Sequence, residues 1–326
     1  MLGTKVKTAL GAVAVAIAFS ATAARAEEIN FGIISTESST NLKKVWDPFI
    51  GDMTKQTGLQ VKAFFASDYA GVIEGMRFNK VQLAWFGNKS AMEAVDRANG
   101  EIFAQTVDKD GNPGYWSHII VHKDSPYKSL EDILKCDKSI DFGIGDPNST
   151  SGFLVPTTFI FSARNIDPKQ CFKTVRNANH EANALAVANK LVHAASNNNE
   201  SLARLAKTAS EKAAQIRVIW KSPLIPADPL VWRKDLDAKL KEKISGFILG
   251  YGKTDAEKRI LADLGWAPFK KSSNAQLLPI RQMEVNKKIA KIKGDAKLTE
   301  ADKAKAIAPL QKQFAELGKQ IQAIKN

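Results

Sequence analysis

Residues 141–152, Asp-Phe-Gly-Ile-Gly-Asp-Pro-Asn-Ser-Thr-Ser-Gly, carry the pattern that decides the fold. A β-type run leads into a tight polar turn, and the turn leads into the start of a helix. A helix N-terminus presents unpaired backbone N–H groups and the positive end of a dipole to an anion. The hydroxyls of Ser149, Thr150 and Ser151 add donors without adding charge. The stretch predicts a strand, a turn and a helix with an anion site at the turn; an ordinary serine N-cap is the alternative.

The same alternation of short β-type runs and helical periods extends over the chain from Glu27 onward. It predicts an α/β fold in which each sheet is mainly parallel and flanked by helices. The β-type runs lie at residues 29–34, 61–66, 83–86, 140–143, 172–175, 194–197 and 217–220.

Two further runs break the alternation and are typical of connections between two units: His118–His122, and Lys221–Asp228 with its two prolines. They predict two lobes joined by hinge strands, with a ligand cleft between the lobes. The expected division is a discontinuous first lobe from residues 27–120 and 227–280, a second lobe from residues 121–226, and a C-terminal helical segment from residues 281–326.

The first 26 residues have the pattern of a secretory signal peptide. Lys5 and Lys7 precede an apolar run, and Ala24-Arg25-Ala26 is a small-x-small cleavage site. The apolar run has about a dozen residues, whereas a membrane-spanning helix needs about 20. We therefore expect export and cleavage after Ala26.

The formal charge of the chain is +13, and its distribution weakens the interpretation that the protein binds nucleic acid. Three positive charges lie in the signal peptide, a net six lie in residues 281–326, and four remain for residues 27–280. Nucleic acid is not expected as a partner, because an exported protein does not meet the nucleoid.

The C-terminal segment also carries an apolar stripe at helical spacing: Ile307, Leu310, Phe314, Leu317, Ile321 and Ile324. The stripe fits a helix packed on its own first lobe. Self-association into a homodimer and binding to a membrane surface are the alternatives.

Cys136 and Cys171 are the only two cysteines, and each precedes a β-type run. In an oxidising compartment they can form a disulfide; two buried free thiols are the alternative. Their spacing does not indicate zinc.

The sequence lacks the common signatures of hydrolases and nucleotide-binding proteins: there is no GxSxG, HExxH, Walker loop or GxGxxG. The four histidines, His118, His122, His180 and His193, show no metal-ligand spacing. No cofactor, metal or catalytic activity is therefore expected.

Several runs closely resemble the phosphonate-binding periplasmic proteins of phosphonate ABC importers: Phe31–Ser38, Asp68–Gly71, Gly75–Val81, Ser90–Gly100, Gly145–Pro156 and Trp220–Pro226. The resemblance covers essentially all of the chain after the signal peptide. It implies the two-lobed type II periplasmic binding protein fold and a periplasmic location. It also implies a phosphonate ligand, notably 2-aminoethylphosphonate, and an ABC permease in the inner membrane as the partner.

The resemblance also implies a set of ligand contacts. The phosphonate oxygens would be held by the Ser-Thr-Ser turn, two tyrosines and a histidine, which fall on Ser149, Thr150, Ser151, Tyr69, Tyr115 and His180. A cationic His180 would add a positive charge to these donors. The ammonium group of the ligand would be held by Glu200 and Asp228. Another small oxyanion, such as phosphite or an alkylphosphonate, is the alternative ligand. A periplasmic enzyme that acts on phosphorus esters is the alternative from another class.

Overall fold

The computed structural model describes residues 27–325, so the predicted signal peptide, Met1–Ala26, lies outside the described residues. The strands are β1 (Glu28–Ile33), β2 (Gln60–Phe65), β3 (Leu83–Trp85), β4 (Gly100–Asp108), β5 (Gly114–Tyr115), β6 (Ser117–His122), β7 (Asp141–Ile144), β8 (Thr174–Asn177), β9 (Ala194–Asn198), β10 (Ile216–Lys221), β11 (Ile225–Pro226), β12 (Pro229–Arg233) and β13 (Trp266–Lys271).

The α-helices are α1 (Ser39–Thr57), α2 (Tyr69–Arg77), α3 (Asn88–Arg97), α4 (Leu130–Ile133), α5 (Pro168–Cys171), α6 (His180–Ala188), α7 (Asn199–Thr208), α8 (Ser210–Ala213), α9 (Ala238–Gly250), α10 (Asp255–Leu264), α11 (Leu278–Lys293) and α12 (Glu300–Lys325). Two π-helical turns, Thr150–Leu154 and Thr157–Phe161, and two 3₁₀ turns, Ser162–Arg164 and Asn274–Leu277, complete the described chain. Within residues 27–325 no helix combines the length and the apolar character needed to cross a membrane.

The first lobe is built on a six-stranded sheet in the order β13-β4-β12-β3-β1-β2. Alternate residues of β1 point into the core, and Phe31 packs with Trp46 and Phe49 of α1 at centroid distances of 5.3 and 6.3 Å. Trp85 and Trp266 extend this aromatic cluster. Each ring buries a large apolar area, so the cluster anchors α1 to the sheet.

The second lobe is built on a five-stranded sheet in the order β10-β6-β9-β7-β8. Its core contains three buried phenylalanines, Phe142, Phe161 and Phe172, the first and last stacked at 4.6 Å. These contacts hold the helical turns after β7 against the strand itself. The predicted two-lobed α/β fold is confirmed.

The strand directions correct one expectation, because both sheets are mixed and not mainly parallel. β1 pairs in parallel with β2 and β3, and β7 pairs in parallel with β8 and β9. In contrast, β12 runs antiparallel to β3 and β4, and β6 runs antiparallel to β9 and β10. Parallel pairing requires a crossover helix, and the strands that bring the chain from one lobe into the other arrive without one.

A two-stranded ribbon carries both crossings between the lobes. β5 pairs antiparallel with β11, with Tyr115 opposite Ile225 and Gly114 opposite Pro226. A Cβ atom on Gly114 would lie 1.9 Å from the carbonyl oxygen of Ile225, so only glycine allows the strands to approach this closely. The ribbon lies near the expected lobe boundaries, but the division itself stays a prediction.

Cys136 and Cys171 are joined by a disulfide. The bond links the segment before β7 to the end of α5, which precedes β8. It therefore holds together the two connections that lead into a pair of neighbouring parallel strands.

The C-terminal stripe packs on a partner other than the one expected. Ile307 and Leu317 of α12 are buried against Val285 and Ile289 of α11, so the two helices form a hairpin with its own small core. The hairpin reaches the first lobe through the Arg281–Asp96 ion pair and other contacts of α11. The sequence alone does not show whether α11 or the first lobe buries the stripe, because any apolar face of sufficient width could pack against it.

Candidate functional site

A cavity of ≈ 260 Å³ lies between the two sheets, and all eight predicted ligand residues line it. They are Tyr69, Tyr115, Ser149, Thr150, Ser151, His180, Glu200 and Asp228. Positions from 69 to 228 in the chain are therefore brought together around one small space. We call this space the cleft cavity.

Topology explains why these residues meet. Tyr69 follows β2, the Ser-Thr-Ser turn follows β7, His180 follows β8 and Glu200 follows β9. All four strands belong to the parallel parts of the sheets, and the carboxyl ends of parallel strands form the ligand edge of an α/β sheet. The remaining two residues lie where the chain crosses between the lobes. Tyr115 is in β5, and Asp228 directly precedes β12.

The helices after these strands point their N-termini toward the cleft cavity. Tyr69 begins α2, Thr150 begins a π-helical turn, His180 begins α6, and Glu200 is the second residue of α7. Each N-terminus carries a partial positive charge and free N–H groups. The cavity therefore favours an anion without a surplus of charged side chains.

The Ser-Thr-Ser turn is held by a close approach of two glycines. A Cβ atom on Gly145 would lie 2.5 Å from the Cα atom of Gly152, and the N–H of Gly145 donates to the carbonyl of Gly152 at 2.9 Å. Ser149 caps the π-helical turn by accepting from the N–H of Gly152 at 3.0 Å. In a π-helical turn the backbone hydrogen bonds join residues i and i+5, and single turns of this type are frequent at functional sites.

The two tyrosines are buried, at 2% and 3% exposure. Burial raises the pKa of Tyr69 and Tyr115 well above the usual value, and nearby carboxylates, Asp146 and Asp228 for Tyr69, act in the same direction. Both phenols therefore keep their protons, and a hydrogen bond with Asp228 also raises the pKa of Tyr115. Across the cleft, the backbone N–H of Tyr69 donates to Asp146 at 3.2 Å.

His180 is neutral, which corrects the expectation of a cationic histidine. Burial, assisted by the positive charge of Arg204, lowers the pKa of His180 to about 3. Its ring Nε2 lies 3.3 Å from Ser149 Oγ and 3.3 Å from Asn198 Nδ2. The resemblance identifies the residue type, but only the surroundings set its charge.

Glu200 and Asp228 occupy environments that disfavour their charge. Burial raises the pKa of Glu200 to about 7, and it raises the pKa of Asp228 as well, with Glu200 adding to the effect. In the part of the chain that the structure describes, Asp228 Oδ1 is buried without a hydrogen-bond partner. Buried carboxylates in this situation are suited to a cationic group that arrives with a ligand.

Further residues line the cleft cavity that the sequence did not single out as ligand contacts: Thr36, Trp85, Asn198 and Arg204. Thr36 Oγ1 and Trp85 Nε1 are buried, and across residues 27–325 neither has a partner. Thr36 follows β1 and Trp85 ends β3, so the rule of parallel strand ends is the signal that finds them.

Arg204 forms an ion pair with Glu37 across the two lobes, and both side chains are mostly buried, at 13% and 9% exposure. Arg204 is one turn after Glu200 on α7, and its charge lowers the pKa of that acid against the effect of burial. Beyond the ion pair lies a larger groove of ≈ 980 Å³ between α1, α6, α7 and α10. The pair therefore separates the cleft cavity from this groove.

No metal site accompanies the cavity: among residues 27–325, His, Cys, Asp and Glu form no group of three or more that is arranged to hold a metal ion.

Comparison with known proteins agrees with this geometry. The family model described as "ABC transporter, phosphonate, periplasmic substrate-binding protein" matches residues 31–277. The chain is 56% identical over 298 residues to the phosphonates-binding periplasmic protein of Escherichia coli, covering 90% of this chain and 88% of that one. It is 31% identical over 230 residues to a phosphate-import protein of Mycolicibacterium smegmatis, covering 67% and 70%.

A solved structure is also similar. The crystal structure of a binding protein component of an ABC phosphonate transporter from Pseudomonas aeruginosa superimposes with a TM-score of 0.90 at 55% identity, covering 92% of this chain and 100% of that chain. Matches of this extent show the family as well as the fold. The chain belongs to the family of periplasmic substrate-binding proteins of phosphonate ABC transporters.

Proposed function

We propose that this protein is the receptor of an ABC importer that binds 2-aminoethylphosphonate in the cleft cavity and delivers it to a permease in the inner membrane. Ser149, Thr150, Ser151, Tyr69, Tyr115 and neutral His180 hold the phosphonate oxygens as hydrogen-bond donors. Glu200 and Asp228 hold the ammonium group.

The observation that carries this proposal is the presence of two carboxylates in the same small cavity as a donor-rich turn. Among the described residues that line the cavity, Arg204 is the only cationic side chain, and it is already paired with Glu37. A bare oxyanion would leave Asp228 Oδ1 unpaired, which costs about 1–3 kcal/mol for a buried group. An ammonium group on the ligand removes this cost.

Titration calorimetry with 2-aminoethylphosphonate, methylphosphonate, phosphite and inorganic phosphate tests the ligand. We expect the aminated ligand to bind at least about a hundredfold more tightly than phosphate, because only the aminated ligand pairs both carboxylates. Phosphate is the serious competitor, since one relative bears the name of a phosphate-import protein. Equal binding of phosphate and 2-aminoethylphosphonate would reject the proposed ligand.

The protein acts as a receptor and not as an enzyme. Ser149 and His180 are close, but His180 Nδ1 has no partner among the described residues, so no carboxylate orients the ring as in a Ser-His-Asp triad. Turnover of a chromogenic phosphorus ester above background would contradict this assignment.

The same proposal includes export and a maturation step. Cleavage after Ala26 leaves Glu27 as the first residue, one residue before β1. Intact mass spectrometry of the protein from a periplasmic extract measures the cleavage site directly.

Self-association through α12 also stays a prediction: Ile307 and Leu317 pack within the chain, whereas Phe314 and Ile324 are exposed.

A further inference from the structure

Asn198 lies where the phosphonate and ammonium contacts of the cleft cavity meet. It is 4% exposed, it ends β9, and its side chain caps α7, the helix that carries Glu200. Its Oδ1 accepts from the backbone N–H of Ser201 at 2.7 Å. This bond fixes which end of the amide is oxygen, because a backbone N–H only donates.

The amide nitrogen of Asn198 must then face the opposite direction. Nδ2 lies 3.0 Å from Ser151 Oγ and 3.3 Å from His180 Nε2. An amide NH₂ group has two protons and no acceptor, so both neighbours receive a hydrogen bond from it.

This arrangement favours one tautomer of His180. A ring nitrogen that accepts carries no proton, so the proton of the neutral ring is on Nδ1. Nδ1 is buried, and no group in residues 27–325 pairs with it. The ring lines the cleft cavity, so its N–H is available to a ligand.

The three hydroxyls of the turn follow the same logic. Ser149 accepts from the N–H of Gly152, Thr150 accepts from the N–H of Lys89 at 2.8 Å, and Ser151 accepts from Asn198. A hydroxyl whose oxygen already accepts a hydrogen bond keeps its proton to donate. Thr150 and Ser151 are thus prepared as donors before a ligand arrives, whereas the hydroxyl of Ser149 also lies 3.3 Å from the bare Nε2 of His180 and can donate to it.

We propose that Asn198 is a positioning residue for oxyanion binding: it holds His180 in the Nδ1–H tautomer and Ser151 as a donor, so that both point their protons at the ligand. The inference rests on the proposed function, because it assigns the cleft cavity to an oxyanion. It adds a determinant that acts through His180 and Ser151 and that also sets the start of the helix bearing Glu200.

The substitution Asn198→Asp tests the proposal, since aspartate keeps the oxygen that caps α7 and replaces the donor with an acceptor. The new carboxylate would take the proton of Ser151 and favour a proton on His180 Nε2. His180 would then be charged at low pH, and at higher pH it would present a bare Nδ1 to the ligand. Arg204 and Glu200 face the same region and are unchanged in both proteins.

The measurement is the dissociation constant for methylphosphonate, which has no ammonium group, as a function of pH. We expect N198D to bind about tenfold to a hundredfold more weakly than wild type, with the ratio of the two constants growing as pH rises. The ratio cancels the ionisation of the ligand. The matched control is Asn199→Asp, whose retained oxygen still accepts from the N–H of Trp116; its ratio should stay within about threefold and be independent of pH.

Nitrogen-15 NMR of the ligand-free protein reads the tautomer directly, with the signal of His180 assigned by its absence in His180→Gln. Wild type should show a protonated Nδ1 and a bare Nε2. A protonated Nε2 in wild type, or an N198D ratio that matches N199D, would overturn the proposal. If wild type bound none of the phosphonates, the proposed function would fail, while the NMR result would still decide the role of Asn198.

If N198D does not fold, Asn198→Ser is the second variant. Serine can cap α7 but is too short to reach His180, so this variant should lose affinity by about tenfold; unchanged affinity would refute the proposal.

Discussion

At the scale of single residues, the chemistry of the cleft cavity is decided by surroundings more than by residue type. His180 and Glu200 illustrate this, because burial shifts both toward their neutral forms, His180 by lowering its pKa to about 3 and Glu200 by raising its pKa to about 7. The sequence places both residues correctly after their strands. The charges of His180 and Glu200 cannot be predicted from the sequence, because their pKa values depend on residues such as Arg204 that become neighbours only in the folded protein.

The raised pKa of Glu200 predicts a pH-dependent stability of the ligand-free protein. Its pKa is about 7 in the folded protein, against an ordinary value of 4.5. Between these values the folded state keeps a proton that the unfolded chain releases, so this contribution to stability is complete at low pH and is lost as pH rises toward 7. Glu200→Gln should reduce the slope, leaving the part that the raised pKa of Asp228 contributes, and should stabilise the protein by about 3 kcal/mol above pH 7.

Urea unfolding from pH 4 to 8 checks this expectation, with Glu211→Gln, an exposed glutamate on α8, as the control. The same Glu200 variant should bind 2-aminoethylphosphonate more weakly, since the ammonium group loses its ionic partner. Parallel stability curves for wild type and Glu200→Gln would show that Glu200 is not strained by burial.

At the scale of elements, periodicity predicts most strands and helices to within a few residues. The Ser-Thr-Ser turn is a case where the sequence succeeds in part: it predicts the strand, the turn and the helix start. It does not predict that the helix opens with π-helical bonding, because that depends on the contact between Gly145 and Gly152 and on the neighbouring strand β9, which supplies Ser196. Tertiary contacts of this kind are absent from local patterns.

Thr36 and Trp85 show the limit more sharply. Each is an unremarkable residue at a strand end, and only the parallel pairing of β1 with β2 and β3 brings both to the ligand edge of the sheet. The sequence could have placed them there only if the strand order had been known.

The disulfide between Cys136 and Cys171 predicts a local effect on the second lobe. It closes a loop with a sequence separation of 35 residues, and in the chain-entropy model such a bond contributes about 4 kcal/mol. The double substitution Cys136→Ser with Cys171→Ser should lower the free energy of unfolding by about this amount and leave the affinity for phosphonate nearly unchanged. Guanidinium unfolding with and without reductant measures the effect. A variant as stable as oxidised wild type would contradict it.

At the scale of the whole molecule, polar contacts outside the cleft cavity hold the lobes together, and several of them meet at the start of α1. Glu181 of α6 accepts from the backbone N–H of Ser38 at 2.7 Å and from the side chain of Asn41, both at the start of α1. Arg204 of α7 pairs with Glu37 in the same segment. The start of α1 is therefore held by two helices of the opposite lobe.

This arrangement predicts that Glu181 governs how long the ligand stays bound. Glu181→Ala removes a contact that exists between the lobes and leaves each lobe intact. We expect dissociation of 2-aminoethylphosphonate to become about tenfold faster, while the association rate and the free energy of unfolding change little. Stopped-flow tryptophan fluorescence measures both rates, and Glu211→Ala is the exposed control. An unchanged dissociation rate would show that Glu181 does not stabilise the closed lobes.

The two-lobed plan follows from the sequence because two connections interrupt its regular alternation. The mixed sheets and the packing of the C-terminal hairpin do not, since each depends on which surface a strand or helix meets after the chain has crossed between lobes. Ile307 illustrates the point: its spacing predicts burial, but nothing in the spacing names Val285 as the surface that buries it.

The β5–β11 ribbon has a consequence for how the receptor reports its state. A paired ribbon can bend, but its hydrogen bonds resist sliding of one strand along the other, which suits it to act as a hinge between the lobes. Tyr115 is both a strand residue of this ribbon and a wall of the cleft cavity. A ligand in the cavity therefore contacts the hinge directly. A permease that recognises only the relative position of the lobes would distinguish the ligand-bound from the ligand-free state, but not one phosphonate from another.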